Sequence, residues 1–276
     1  MKLGKIWAVY FSGTGTTRRT VERIAGGIAS RLNLPAESVD FSHPAVRQET
    51  LGFGEKDLVV FGTPVYAGRV PNVLLPFLRE RVVGGGALAV PVVLFGNRNY
   101  DDALIELRNI LAADGMHPIA AGAFVGEHSF SRVLGADRPN AEDEALMDEF
   151  AARVAELAAG LDAAPVKSAA VRGQEPLRPY YTPRDRAGNP INILKVKPKT
   201  DLSRCGGCGL CADLCPMGSI DPTDVSAVRG ICIKCCACVK GCPTGAKFFD
   251  DAGYLYHQHE LEAQYACPAE NEVFYL

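Results

Sequence analysis

Near the end of the chain one cysteine pattern occurs twice, Cys205-x2-Cys208-x2-Cys211-x3-Cys215-Pro216 and Cys232-x2-Cys235-x2-Cys238-x3-Cys242-Pro243, and together the copies hold eight of the ten cysteines. A segment so dense in thiols folds around whatever its sulfurs bind, because it has too few apolar residues for an ordinary core. The spacing is that of two 4Fe-4S clusters. Three thiolates in a tight loop can reach three irons of one cube, and the fourth, carried past on a short helix and a proline, reaches the other cube. Cys205, Cys208, Cys211 and Cys242 are therefore expected at one cluster, and Cys232, Cys235, Cys238 and Cys215 at the second. Structural zinc would pair two well-separated Cys-x2-Cys arms, and disulfides suit small secreted domains; neither crowds four thiols into eleven residues twice. Cys236 and Cys267 fall outside both copies, the first read as a spectator and the second as a free thiol.

No cysteine precedes position 205, so the first two hundred residues must fold by burial alone, and a 47 % hydrophobic content is ample for that. The net charge of −3 carries no basic excess, which argues against nucleic acid as a partner. The longest apolar run, Gly86 to Gly96, is about half a membrane span. Met1 to Lys5 leads straight into a strand rather than a signal-peptide core, so the expected location is the cytoplasm, with the thiols in a reducing compartment.

Apolar runs at Ile6 to Phe11, Leu58 to Phe61, Leu88 to Phe95 and Ile119 to Val125 read as strands buried on both faces, with a weaker strand at Ser38 to Phe41. Helical periodicity falls between them, at Thr16 to Arg31, Val70 to Val82, Tyr100 to Asp114 and Ala141 to Leu161. The pattern predicts an α/β class, a doubly wound five-stranded parallel sheet over residues 1–162 whose ligands sit beyond the carboxyl ends of the strands. Residues 163–200, rich in proline, arginine and lysine, read as an extended linker, and 201–276 as a small cysteine module with its tail. Leu214, Ile220, Ile231, Ile233, Val239, Phe248 and Phe249 are expected to shield the clusters.

The first strand runs into Ser12-Gly13-Thr14-Gly15-Thr16-Thr17 and then a helix, a hydroxyl-rich turn suited to one phosphate. It lacks the Gly-Lys-Ser/Thr ending of a Walker A loop, and it has Arg18 where a dinucleotide fingerprint needs a third glycine. The turn resembles the phosphate loop of flavodoxins, with Ser12, Thr14, Gly15 and Thr17 at matching positions. Two further strand ends, Thr63-Pro64-Val65-Tyr66-Ala67-Gly68 and Gly96-Asn97-Arg98-Asn99-Tyr100, are similar to the loops that clasp the flavin ring in that family. With the ferredoxin-like tail, nearly the whole chain resembles the fused flavodoxin and two-cluster ferredoxin proteins of anaerobes.

That resemblance implies strand order 2-1-3-4-5 and a cofactor complement of FMN plus two 4Fe-4S clusters. Tyr66 and Tyr100 would flank the ring, and the Ala67-Gly68 peptide would face flavin N5. Arg69 and Arg98 would favour an anionic flavin or guide an anionic partner. His128, in a loop at the same sheet edge, is read as structural, with approach to the flavin or the first cluster as the other reading. The implied function is electron transfer between clusters and FMN, exchanged with other redox proteins. A reductase acting on a small molecule is the alternative, and a redox sensor a weaker one.

Overall fold

Residues 2–276 are described in a computed structural model of the chain. Strands β1 (Lys5–Tyr10), β2 (Ala36–Asp40), β3 (Asp57–Pro64), β4 (Leu88–Phe95) and β5 (Ala120–Val125) pair in parallel in the order β2-β1-β3-β4-β5. A two-residue piece, His117–Pro118, lies beside β4. Alternate residues of each strand face opposite layers, as strand geometry requires. Ile6, Leu58, Val60, Val90 and Phe124 pack under helices α1 (Thr16–Leu32) and α4 (Ala141–Ala159). Val9, Phe11, Val59, Phe61 and Val93 pack under α2 (Leu75–Arg81) and α3 (Ala103–Ala113). Both layers are closed by apolar residues, which explains why the central strands read as unbroken apolar runs.

The sheet departs from the expected five strands. A sixth, β6 (Glu272–Tyr275), comes from the tail that the sequence assigned to the cysteine module, and it pairs antiparallel with β5. Phe274 joins one layer of the core, and Val273 and Tyr275 the other. The Asn271 amide fixes this return: its oxygen accepts from the Val125 N–H at 2.8 Å and its nitrogen donates to Asp143 at 2.6 Å. Asp143 also serves the capping box of α4 with Asn140, so one buried carboxylate ties helix start and tail together.

The cysteine module contains α5 (Leu210–Asp213), α6 (Ala237–Lys240) and α7 (Ala252–Gln264). The segment before it is without helix or long strand and lies against the first unit. Asp102, fully buried, accepts from the Gln174 and Arg178 N–H groups and pairs with the Arg178 guanidinium. The Tyr181 N–H reaches the Ala67 carbonyl at 2.9 Å. The Arg178 guanidinium, with the two N–H groups, holds the Asp102 carboxyl below its ordinary range. Its contribution to docking is present above the usual carboxylate range and is lost as pH falls through the depressed folded value. Asp102→Asn is expected to cost about 2 kcal/mol. Amide exchange at Gln174 and Arg178 should speed up in that variant at neutral pH, and its acid step should vanish; unchanged protection would refute the anchor.

Candidate functional site

The carboxyl ends of β1, β3, β4 and β5 meet the cysteine module at one edge of the sheet. At the first, Gly15 adopts φ +89° as the N-cap of α1 with no side-chain cap and no acidic residue in the first turn. The Thr16 and Thr17 N–H groups at the start of the helix are therefore left for an anion. Ser12 to Thr16 line a cavity of about 700 Å³ together with Arg18, Arg19, Asp40, Ser42, His43 and Arg138. The Ser12 hydroxyl accepts from the Arg18 N–H at 3.2 Å and the Ser12 N–H donates to Ser42 Oγ at 2.7 Å, which fixes the turn against the loop after β2.

A second, smaller cavity of about 70 Å³ lies beside it. Gly13, Thr14, Thr16, Thr17, Pro64, Val65, Tyr66, Gly96, Gly126, Glu127, His128 and Cys235 are among its lining residues. The expected clasp of two loops is thus half replaced. Asn97 is turned to the tail, its amide donating to the Tyr265 and Cys267 carbonyls and accepting from the Ala269 N–H. Tyr100 is fully buried against Phe95, its hydroxyl donating to Glu272 at 2.6 Å and accepting from Arg172 at 3.0 Å, so it lines neither cavity. Asn99 caps the Asp101 N–H. The tip of the other loop also turns away: Ala67 and Gly68 sit at positive φ with Gly68 against Asp101, and the Ala67 carbonyl is taken by the linker. Thr63 is buried beneath the edge with its hydroxyl unpartnered.

The two arginines of these loops are likewise not free charges. Arg69 makes a bidentate pair with Glu106, which is 1 % exposed, and Arg98 pairs with Asp101 while lying over the Tyr181 ring. The place expected for the second clasp belongs instead to the loop after β5. A Cβ on Gly96 would fall 2.5 Å from His128 Cδ2, so only glycine lets the two loops meet. Burial, then the charge of Lys240, draws His128 down to about 3. The ring is neutral, and because Nδ1 accepts from the Phe130 N–H at 3.1 Å, the proton sits on Nε2.

Five of the cysteines gather around one cavity. Cys215, Cys232, Cys235 and Cys238, the set expected at the second cluster, line it together with Cys236 and with Ile220, Ile231, Ile233 and Phe249. Burial pushes Cys235 and Cys238 up to about 12, so thiolates there need a cation within the cavity, which suits a metal cluster. The first group is open: Cys208 is exposed and Cys205, Cys211 and Cys242 are partly so. The fourth cysteine of each copy accepts from the N–H four residues on, Ser219 to Cys215 at 3.4 Å and Ala246 to Cys242 at 3.2 Å. Burial opposes ionisation of Cys242 but is outweighed by the Thr244 hydroxyl and nearby N–H groups, and its thiol comes down to about 7.

The repeat extends to the backbone and explains Cys236. Gly207 and Gly209 of the first copy have positive φ, and their counterparts in the second are Lys234 and Cys236, also positive. Strain that glycine avoids is held here by contacts. The Lys234 ammonium donates to the Leu194 and Cys232 carbonyls, and Cys236 Sγ lies 3.4 Å from the Lys234 carbonyl and from the Tyr254 hydroxyl. Cys236 is buried and held by these contacts, and it shares the cavity wall with Cys215, Cys232, Cys235 and Cys238.

Cys235 belongs to the walls of both the cysteine cavity and the 70 Å³ cavity. A Cβ built on Gly13 would come 3.0 Å from Cys235 Cβ. Tyr66 stands at the same seam: burial raises its hydroxyl well above the ordinary range, and Cys235, Cys236 and Cys232 are close enough to add to the effect. The residues missed by sequence reasoning, Asp40, Ser42, His43, Arg138, Glu127 and Lys240, come from the end of β2, the loops after β2 and β5, and α6. Their signal was positional, since every strand carboxyl end of such a sheet meets the same edge.

Residues 8–105 match a family model described as "Flavodoxin domain", and residues 198–221 one described as "4Fe-4S binding domain". No curated protein matches the chain. Among solved structures, an archaeal flavodoxin is 17 % identical with a TM-score of 0.41, covering 55 % of this chain and 96 % of its own. A flavodoxin of Streptococcus pneumonia TIGR4 is 19 % identical with a TM-score of 0.38, covering 57 % and 100 %. Rubredoxin oxygen:oxidoreductase of Desulfovibrio gigas is 16 % identical with a TM-score of 0.37, covering 59 % and 38 %. The chain joins a flavodoxin domain to a 4Fe-4S domain and is an iron-sulfur flavoprotein with a redox role. No helix among the described residues is long and apolar enough to cross a membrane.

Proposed function

We propose that this chain carries electrons between two 4Fe-4S clusters and an FMN, and exchanges them with other redox proteins through the outer cluster. Cys205, Cys208, Cys211 and Cys242 hold the outer cluster, and Cys215, Cys232, Cys235 and Cys238 the inner one. When bound, the clusters supply one-electron and FMN one- or two-electron chemistry. The observation that carries the reading is the shared Cys235 wall, which brings the inner cysteine group against the flavin site.

Ser12 to Thr17 would hold the phosphate through first-turn N–H groups and hydroxyls. Pro64 to Tyr66, Gly96 and the loop at 126–129 would enclose the ring. His128 keeps its proton on Nε2 at any ordinary pH, so it offers a fixed donor rather than a proton carrier. The exposed Cys208, with Leu202 and Leu210 also exposed in its part of the module, suits protein docking at the outer group. A second reading, reduction of a small molecule, draws support from the concave ring cavity and the polar groups in its wall, among them Thr14, Tyr66, Glu127, His128 and Ser129.

A stepwise anaerobic reductive titration, followed by visible absorption and EPR with iron, sulfide and flavin quantified, tests the proposal. The expected result is about eight irons and one FMN per chain, reducing in communicating steps. Full clusters without flavin, even after FMN is supplied, would refute it.

A further inference from the structure

The phosphate cavity and the ring cavity meet at one place. Gly13, Thr14, Thr16 and Glu127 belong to the walls of both, so a ligand filling both must pass between the turn and Glu127. Glu127 is held from the other module. The Lys240 ammonium pairs with its carboxylate and donates to the His128 carbonyl at 2.6 Å, with the lysine side chain 13 % exposed. Lys240 stands on α6 between Cys238 and Cys242. Leu214, Pro216, Ala237 and Gly241, from the same module, complete that wall of the phosphate cavity.

We propose that the FMN site is composite: the cysteine module, through Lys240, closes the corridor between the phosphate turn and the ring cavity and retains the cofactor. This rests on the functional reading above. An ammonium has three donors, of which two are used, and the third remains for the cavity that Lys240 lines. Its charge is poorly screened at this depth and attracts an anionic ligand. Without it, the Glu127 carboxylate stands unpaired in the corridor, repels such a ligand and is free to swing. The flavodoxin domain supplies the phosphate turn, but release of FMN requires the second module to let go.

The test uses the full chain, loaded with FMN and clusters, with release read anaerobically as the rise of free FMN fluorescence after dilution. Lys240→Met is expected to release FMN about tenfold faster at unchanged iron content, because loss of one partner of a buried ion pair acts mainly on the off-rate. Lys240→Arg should restore most of the retention. Glu127→Gln, away from the cysteines, gives an independent arm: it keeps an acceptor for the ammonium, removes the carboxylate charge from the corridor and should slow release, which covers a Lys240 variant that assembles its clusters poorly. Wild-type release rates in an iron-replete Lys240→Met protein, or in Glu127→Gln where the lysine variant loses iron, would overturn the inference while leaving the functional reading intact. A wild-type protein that takes up no FMN would sink both.

Discussion

Cys235→Ser is expected to reduce the iron content from about eight to about four per chain and to disconnect the flavin from the remaining cluster. Cys235 is one of five cysteines around the buried cavity, and it alone of the eight in the two copies also walls the ring cavity. Its loss removes the inner cluster and leaves the outer cysteines untouched at the surface. Electrons from the outer group must then reach a flavin on another molecule. A linked pair has an effective concentration in the millimolar range, so at about 10 µM protein the flavin should be reduced roughly 100-fold more slowly. Stopped-flow absorption after mixing with a low-potential donor reads this directly. Cys208→Ser is the contrast: it disturbs the outer group and leaves the seam with Gly13 in place. Equal rates in wild type and Cys235→Ser would mean that the inner group lies on no electron path.

The second large effect concerns stability rather than redox chemistry. Glu106, on α3, accepts from Arg69 through both oxygens and from the Val70 N–H at 2.9 Å, and the pair is buried. Glu106→Gln leaves the Arg69 charge without its counterion and is expected to cost about 3–5 kcal/mol. That corresponds to a fall in Tm on the order of 10 °C for a unit of this size. The double variant Arg69→Met with Glu106→Leu removes both charges and should recover much of the loss, since apolar groups of similar volume can replace a buried pair. Thermal unfolding by circular dichroism distinguishes the outcomes. A double variant as unstable as Glu106→Gln would show that packing around Tyr180, over which Arg69 lies, matters more than charge.

Most of the sheet was legible because burial on both faces leaves an apolar signature that nothing else in the chain imitates. The 4Fe-4S domain was legible because ligand spacing is set by the size of a cube, whatever the surrounding fold. Tyr100 and Asn97 were misread for a common reason. Both sit at the right strand end, but their side chains are claimed by Glu272 and by the tail carbonyls, partners more than 160 positions away in sequence. Arg69 and Arg98 were read as charges available to a flavin or an anionic partner because Glu106 and Asp101 carry no mark in the sequence that they pair with them. Glu127 and Lys240 escaped notice for the converse reason: neither has a motif, and only the docking of one module on the other makes them neighbours.

The antiparallel strand β6 has a consequence for the order of events during synthesis. Between Val125, where β5 ends, and Glu272, where its partner begins, the ribosome must add about 147 residues, which takes roughly 7–30 s at ordinary elongation rates. For that time the Ala120–Val125 strand stands as an open, uncharged edge, the kind of surface to which other nascent chains add. The sheet is finished only after both cysteine copies have been made.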